Sequence, residues 1–143
     1  MSPKRGFREM SNKKKKEIKK LTNIALRLWR QKVKENAGGV CEAIGCKVKK
    51  HLHCHHIESY SLNKALRFDP RNGVAFCSTH HKFGRKSAHR SFVFMYLFML
   101  NKRLDDLQYL IDNYDKKVVI DRKFLINKIK ELMGQENKNF PLE

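Results

Sequence analysis

The sequence lacks any apolar run long enough to cross a bilayer. Its longest, Phe92 to Leu100, spans nine residues, against the roughly 20 that a membrane-spanning helix needs. The first twenty residues are polar and basic and lack the apolar stretch of a secretory signal. These absences predict a cytoplasmic chain with no membrane partner. Acidic residues are scarce, 14 Asp and Glu against 32 Lys and Arg, leaving a net charge of +18. So large an excess favours a polyanionic partner, nucleic acid being the commonest and an anionic membrane surface second. No internal repeat is visible. Cysteine is limited to four residues, all within 41–77. In a reducing compartment, that clustering points to metal rather than disulfides.

What is present fits one compact domain with appendages. Hydrophobic residues make up 41% of the 143-residue chain, enough for a modest core that a bound metal would help to staple. The charge is uneven: +10 over residues 1–36, +7 over 37–90 and +1 over 91–143. The polyanion is therefore expected to meet the first two thirds, and the last third to act as a packing element. Residues 1–11 read as a basic arm. Ile18, Leu21, Ala25 and Leu28 recur at helical spacing and predict a helix from about Ser11 or Asn12 to Asn36, stopped by Gly38-Gly39. Lys13 to Lys16 crowd its first turn, where positive charge opposes the helix dipole. Short strands are expected at Val48–His56 and Val74–Phe76, with a loop over Ser59–Asn72 and a short helix from His80. Residues 91–114 predict one helix capped by Ser91, with Leu97, Leu100, Leu104, Leu107 and Ile111 on its core face. A last helix is expected from about Asp121 to Met133, ended by Gly134, and residues 135–143 are expected to fray. The two C-terminal helices either pack on the core or present a surface to a second copy or to another protein.

The Cys/His spacing carries chemistry. Cys41 and Cys46 flank a turn containing Gly45, and Cys77 and His80 are separated by two residues. Two such chelating turns can converge on one ion and close a tetrahedral Cys3His shell, which suits structural zinc. Cys54 is the competing thiolate, and equally reads as a small buried residue.

Three further features follow in order: His55-His56-Ile57 at the end of an expected strand, Asn72 within Arg67-Phe68-Asp69-Pro70-Arg71-Asn72-Gly73, and His81 directly after the Cys77/His80 pair. Over about residues 38–90 this pattern resembles the HNH endonucleases, the ββα-metal nucleases, and most of all the small HNH proteins of bacteriophage genomes. The resemblance implies an α+β fold: a small ββα-metal core with a zinc knuckle over 38–90, between an N-terminal arm and helix (1–37) and C-terminal helices (91–143). It implies His56 as general base, Asn72 as the residue holding the loop, and His55 and His81 as ligands of a catalytic divalent ion (Mg²⁺, Mn²⁺, Ni²⁺ or Zn²⁺). Related proteins carry a further His four residues after the last, where this chain has Arg85. His89, farther on, is a possible substitute. Asp69, beside Pro70, reads as a turn residue or as a partner supporting a histidine.

The chemistry suits phosphodiester hydrolysis. Neutral imidazole takes a proton near pH 7, and a divalent ion with open positions clamps phosphate and stabilises the leaving oxygen. The implied activity is a DNA endonuclease of low sequence specificity. Lys64, Arg67, Arg71, Lys82, Arg85 and Lys86 surround the implied site and would contact phosphates, which give affinity without sequence information. Two alternatives share these residues: a non-catalytic zinc-bound nucleic-acid-binding module, and an RNA-directed nuclease.

Overall fold

Helix α1, Asn12–Asn36, forms because its apolar residues keep one face. Leu21, Ala25, Trp29 and Val33 stand four apart and are all buried. The Ser11 hydroxyl caps the start by accepting from Lys14 N–H at 3.4 Å, although no acidic residue follows in the first turn. The chain leaves the helix through Gly38 and Gly39, both at left-handed φ (67° and 70°), which a side chain would resist. The computed structural model describes residues 11–59, 61 and 65–134. The expected arm over 1–10, Lys64 and the tail over 135–143 lie outside the described residues.

Strand β1, His53–His56, pairs antiparallel with β2, Gly73–Phe76, in the register His53↔Phe76 to His56↔Gly73. β1 is shorter than the expected Val48–His56. His51 adopts φ 53°, which breaks the extended chain inside the expected strand, two residues before β1 begins. β2 is buried at all four positions. A 3-10 turn at Pro70–Asn72 leads into it, capped by the Asp69 carboxylate, which accepts from Arg71 N–H at 2.9 Å. The short helix expected after His80 is a single π-turn, Thr79–Phe83.

The long helix expected over 91–114 is instead two: α2, Phe92–Lys102, and α3, Leu104–Asn113. The break falls at Arg103 (φ −139°, ψ 44°). Its guanidinium turns inward to donate to Gly73 O at 2.8 Å and Arg71 O at 3.2 Å, and it pairs with Asp106 and Glu42. The expected core face is disrupted as a result. Leu97, Leu100, Leu104 and Ile111 are exposed, while Phe98, Met99 and Leu110 are buried. Helix α4, Arg122–Met133, starts under an Asp121 cap and ends at Gly134, as its periodicity predicts.

Among the described residues the architecture is mixed, mostly helical, with one two-stranded sheet. One core cluster joins the sheet and the Cys41–Cys46 turn to α2 and α3 through Val74, Phe76, Phe98, Met99 and Leu110. A second packs α1 on α4 through Leu21, Ala25, Leu125 and Ile129, with Phe68 inserted from the loop. Trp29, Val33 and Ala75 bridge the two. Gly73 lies under α1, where an added Cβ would meet Val33 Cγ2 at 2.3 Å and Trp29 Cζ2 at 2.8 Å. Glycine is there for space, since its φ of −126° suits any residue. No helix among the described residues is long and apolar enough to cross a membrane.

Candidate metal centres

Cys41, Cys46, Cys77 and His80 bring their ligand atoms within 4.8 Å of one another. The first turn is closed by Cys46 N–H donating to Ala43 O at 2.9 Å, with Gly45 at φ 77°. Cys41 is tied back through its N–H to Val48 O at 2.8 Å. His80 Nδ1 lies 3.2 Å from Cys77 Sγ and 3.6 Å from Cys41 Sγ. Tetrahedral zinc with ordinary bond lengths puts sulfur and nitrogen ligands about 3.6 Å apart, so the donors fit one ion with little movement. Burial pushes the Cys41 thiol up to about 12. Burial also acts upward on Cys77, but N–H groups of His80 and Thr79 and neighbouring thiols outweigh it, and its pKa is lowered. A buried thiol beside a stabilised thiolate is a site that a cation would complete. The four residues form a group able to hold a metal ion, and their donor set suits zinc. Cys54 is not among them. It faces α1, and its thiol donates to Arg30 O at 3.4 Å.

His55, His81 and His89 form a second group, their ligand atoms also within 4.8 Å of one another. Strand alternation turns His53 and His55 to one face of β1, and the π-turn carries His81 towards them. His81 stacks on His53 (centroids 5.0 Å apart) and meets His55 edge-on at 5.5 Å. His89 Nε2 lies 3.1 Å from His81 Nε2. Adjacent residues His80 and His81 thus serve different groups. His89 arrives because the chain after the π-turn folds back: Ala88 N–H donates to His80 O at 2.8 Å and His89 N–H to His81 O at 3.1 Å. Buried Ser87 anchors this return, its hydroxyl donating to Lys82 O at 3.4 Å. Arg85 is exposed on the same segment. His89 therefore joins His81 through a backbone return over eight residues rather than from the next turn of one helix.

Burial holds His55 in its neutral form and lowers its pKa to about 4, reinforced by the charges His89, His81 and His56 would carry. His81 is lowered by burial and by His89, His53 and Lys82. Imidazoles kept neutral this way have a lone pair ready for a cation.

His56 points to the opposite face of β1, towards α1. Its ring stacks on Trp29 at 3.9 Å and 6°. Its Nε2 lies 2.9 Å from Arg67 O. A carbonyl only accepts, so Nε2 carries the proton and Nδ1 the lone pair. Burial lowers the His56 pKa, more than the Arg67 carbonyl raises it. Asn72 is fully buried. Its Nδ2 donates to Glu58 O at 2.9 Å and Leu66 O at 3.1 Å, and its Oδ1 accepts from Glu58 N–H at 2.7 Å. Its own carbonyl accepts from Ile57 N–H at 3.1 Å. Asn72 therefore clamps both ends of the loop that follows His56. Asp69 supports the same turn, accepting from Tyr109 OH through its carboxylate and from Trp29 Nε1 through its carbonyl at 2.8 Å.

The basic residues divide. Lys82, Arg85 and Lys86 are exposed on the segment between His81 and His89. Arg67 is half-buried and lies over the Phe68 ring. Arg71 is committed to Asp106 at 2.8 Å and stacks over Tyr109 at 4.0 Å. Arg103 and Glu42 are structural residues that periodicity does not single out. The Glu42 carboxylate accepts from Ala75 N–H at 2.7 Å, closing the free edge of β2. No protein-family model, curated protein or solved structure matches the chain.

Proposed function

We propose that the chain is a divalent-metal-dependent DNA endonuclease of the HNH type, with low sequence specificity and a ββα-metal core over 38–90. One observation carries this reading: His80 completes a Cys3His group while the next residue, His81, joins a separate trio with His55 and His89. A purely structural zinc site has no use for three further converging imidazoles. Cys41, Cys46, Cys77 and His80 hold structural zinc. His55, His81 and His89 would hold the catalytic ion (Mg²⁺, Mn²⁺, Ni²⁺ or Zn²⁺). When bound, that ion supplies charge to the scissile phosphate and to the leaving oxygen. His56 accepts the proton of the attacking water at Nδ1, the nitrogen left unprotonated by the contact of Nε2 with Arg67 O. Its lowered pKa keeps it neutral and able to accept near pH 7. Asn72 holds the loop that supplies the Arg67 carbonyl. Lys82, Arg85 and Lys86, with the Lys16, Lys19, Lys20 and Arg27 face of α1, carry the phosphate backbone.

A second reading rests on the packing of His56. A ring stacked on Trp29 and bonded to a carbonyl is also what a core histidine looks like. On that reading the protein is a zinc-bound nucleic-acid-binding module. Supercoiled plasmid, incubated with Mg²⁺, Mn²⁺ or Ni²⁺, separates the two. The nuclease reading predicts cutting by the wild type and none by zinc-loaded His56→Ala. Wild-type protein that binds but cuts neither DNA nor RNA would support the binding module.

A further inference from the structure

A groove of about 530 Å³ runs from the histidine trio along α2. Its volume lies within the about 300–1,000 Å³ typical of small-ligand sites. Its lining combines His55, His89 and Arg90 with Phe92, Met95 and Tyr96 of α2. Phe92 is 82% exposed and Tyr96 50% exposed. Their rings stack on each other, 6.0 Å apart and 20° from parallel, and both line the groove. An occupant must therefore match two imidazoles and the Arg90 cation as well as a flat apolar surface. A nucleotide has both parts, an anionic phosphate and a base with two π-faces. Glu58, also on the wall, is an acceptor for a base's exocyclic amino group. A base stacked inside a duplex has no free π-face to offer, whereas an unpaired base has two.

We infer that this groove receives an unpaired nucleobase next to the phosphate held at the trio, so that the protein prefers single-stranded or flapped nucleic acid to continuous duplex. The inference rests on the nuclease reading for the phosphate it places at the trio. Stacking on exposed rings within a basic surface is the general physical basis of single-strand binding.

The test uses zinc-loaded full-length protein and an oligonucleotide carrying 2-aminopurine, single-stranded or annealed to its complement, with no other divalent ion added. Quenching of the single strand is expected, with affinity falling about tenfold in each of Phe92→Ser and Tyr96→Ser, the scale of one lost stacking partner. Leu97→Ser, exposed on α2 but outside the groove, is expected to bind like the wild type. Equal quenching of duplex and single strand, or binding indifferent to both ring substitutions, would overturn the inference. Cleavage assays with Mn²⁺ separate this failure from that of the nuclease reading. Duplex and single strand cut at equal rates, with no effect of Phe92→Ser or Tyr96→Ser, refutes the groove and leaves the nuclease standing. Ring-dependent quenching without cleavage of any substrate supports the groove and refutes the nuclease.

Discussion

Replacing Gly73 with alanine is a demanding test of how the sheet is held under α1. The new Cβ would lie 2.3 Å from Val33 Cγ2 and 2.8 Å from Trp29 Cζ2, where carbon atoms rest at about 3.5–4.0 Å. Neither neighbour has room to move, because Trp29 is 1% exposed and Val33 2% exposed. Overpacking of a close-packed core costs typically 1–3 kcal/mol, and a clash this deep belongs near 3 kcal/mol. For a domain of this size that corresponds to a Tm lower by roughly 10 °C. The same displacement moves Trp29 against the ring of His56, so any cleavage activity should fall further than the stability loss alone explains. Thermal unfolding followed by circular dichroism at fixed zinc provides the readout. Adding Val33→Ala opens the closer contact, so the double variant should be less destabilised than the sum of the two singles by at least about 1 kcal/mol. A Gly73→Ala protein melting within about 2 °C of wild type would refute this packing argument.

Three other outcomes follow from the same geometry. Asn72→Asp should destabilise more than Asn72→Ala. The aspartate places an acceptor, and a buried charge, against the carbonyls of Glu58 and Leu66, whereas alanine only forfeits bonds worth together about 2–4 kcal/mol; urea unfolding that ranks them the other way contradicts the assigned role. Cys46→Ser should lose bound zinc and with it the cooperative unfolding transition, because zinc binding in small domains is folding energy. Cys54→Ser should retain one equivalent by elemental analysis, and loss of zinc from that variant would reassign the ligand set. The third outcome concerns pH. The folded chain holds His55 at about 4, below the ordinary 6.5, so the unfolded chain binds the proton first. The His55 contribution is therefore intact above about pH 6.5 and lost progressively as pH falls towards 4. Mn²⁺ or Ni²⁺ binds the folded chain, in which His55 is neutral down to about 4, so protonation of His55 should weaken binding only as pH falls towards 4, as calorimetric titration from pH 8 downwards would register.

The elements readable in advance were those set by local chemistry. α1 and α4 follow from apolar spacing and side-chain caps at Ser11 and Asp121. The Cys41/Cys46 and Cys77/His80 pairs follow from the reach of a chelating turn, and Asp69-Pro70 from turn preference. Long-range contacts decided the rest. Nothing local in 91–114 marks a break, because Arg103 leaves the helix for carbonyls some thirty residues away at Arg71 and Gly73. That turn also exposes Leu97 and Leu104 rather than packing them. His89 escaped a helical template because it returns to His81 through backbone bonds of the 84–90 segment. The strand expected from Val48 was shortened by the left-handed turn at His51, a conformation that β-propensity does not register.

The most direct test of two metal centres with different duties is to compare His80→Ala with His81→Ala, measuring zinc content, second-metal binding and plasmid cleavage on the same preparations. The account predicts that His80→Ala loses zinc and folds poorly. It predicts that His81→Ala keeps one zinc and a wild-type melting profile but loses both the second ion and cleavage. A folded, zinc-loaded His81→Ala protein that still cuts DNA at the wild-type rate would contradict it.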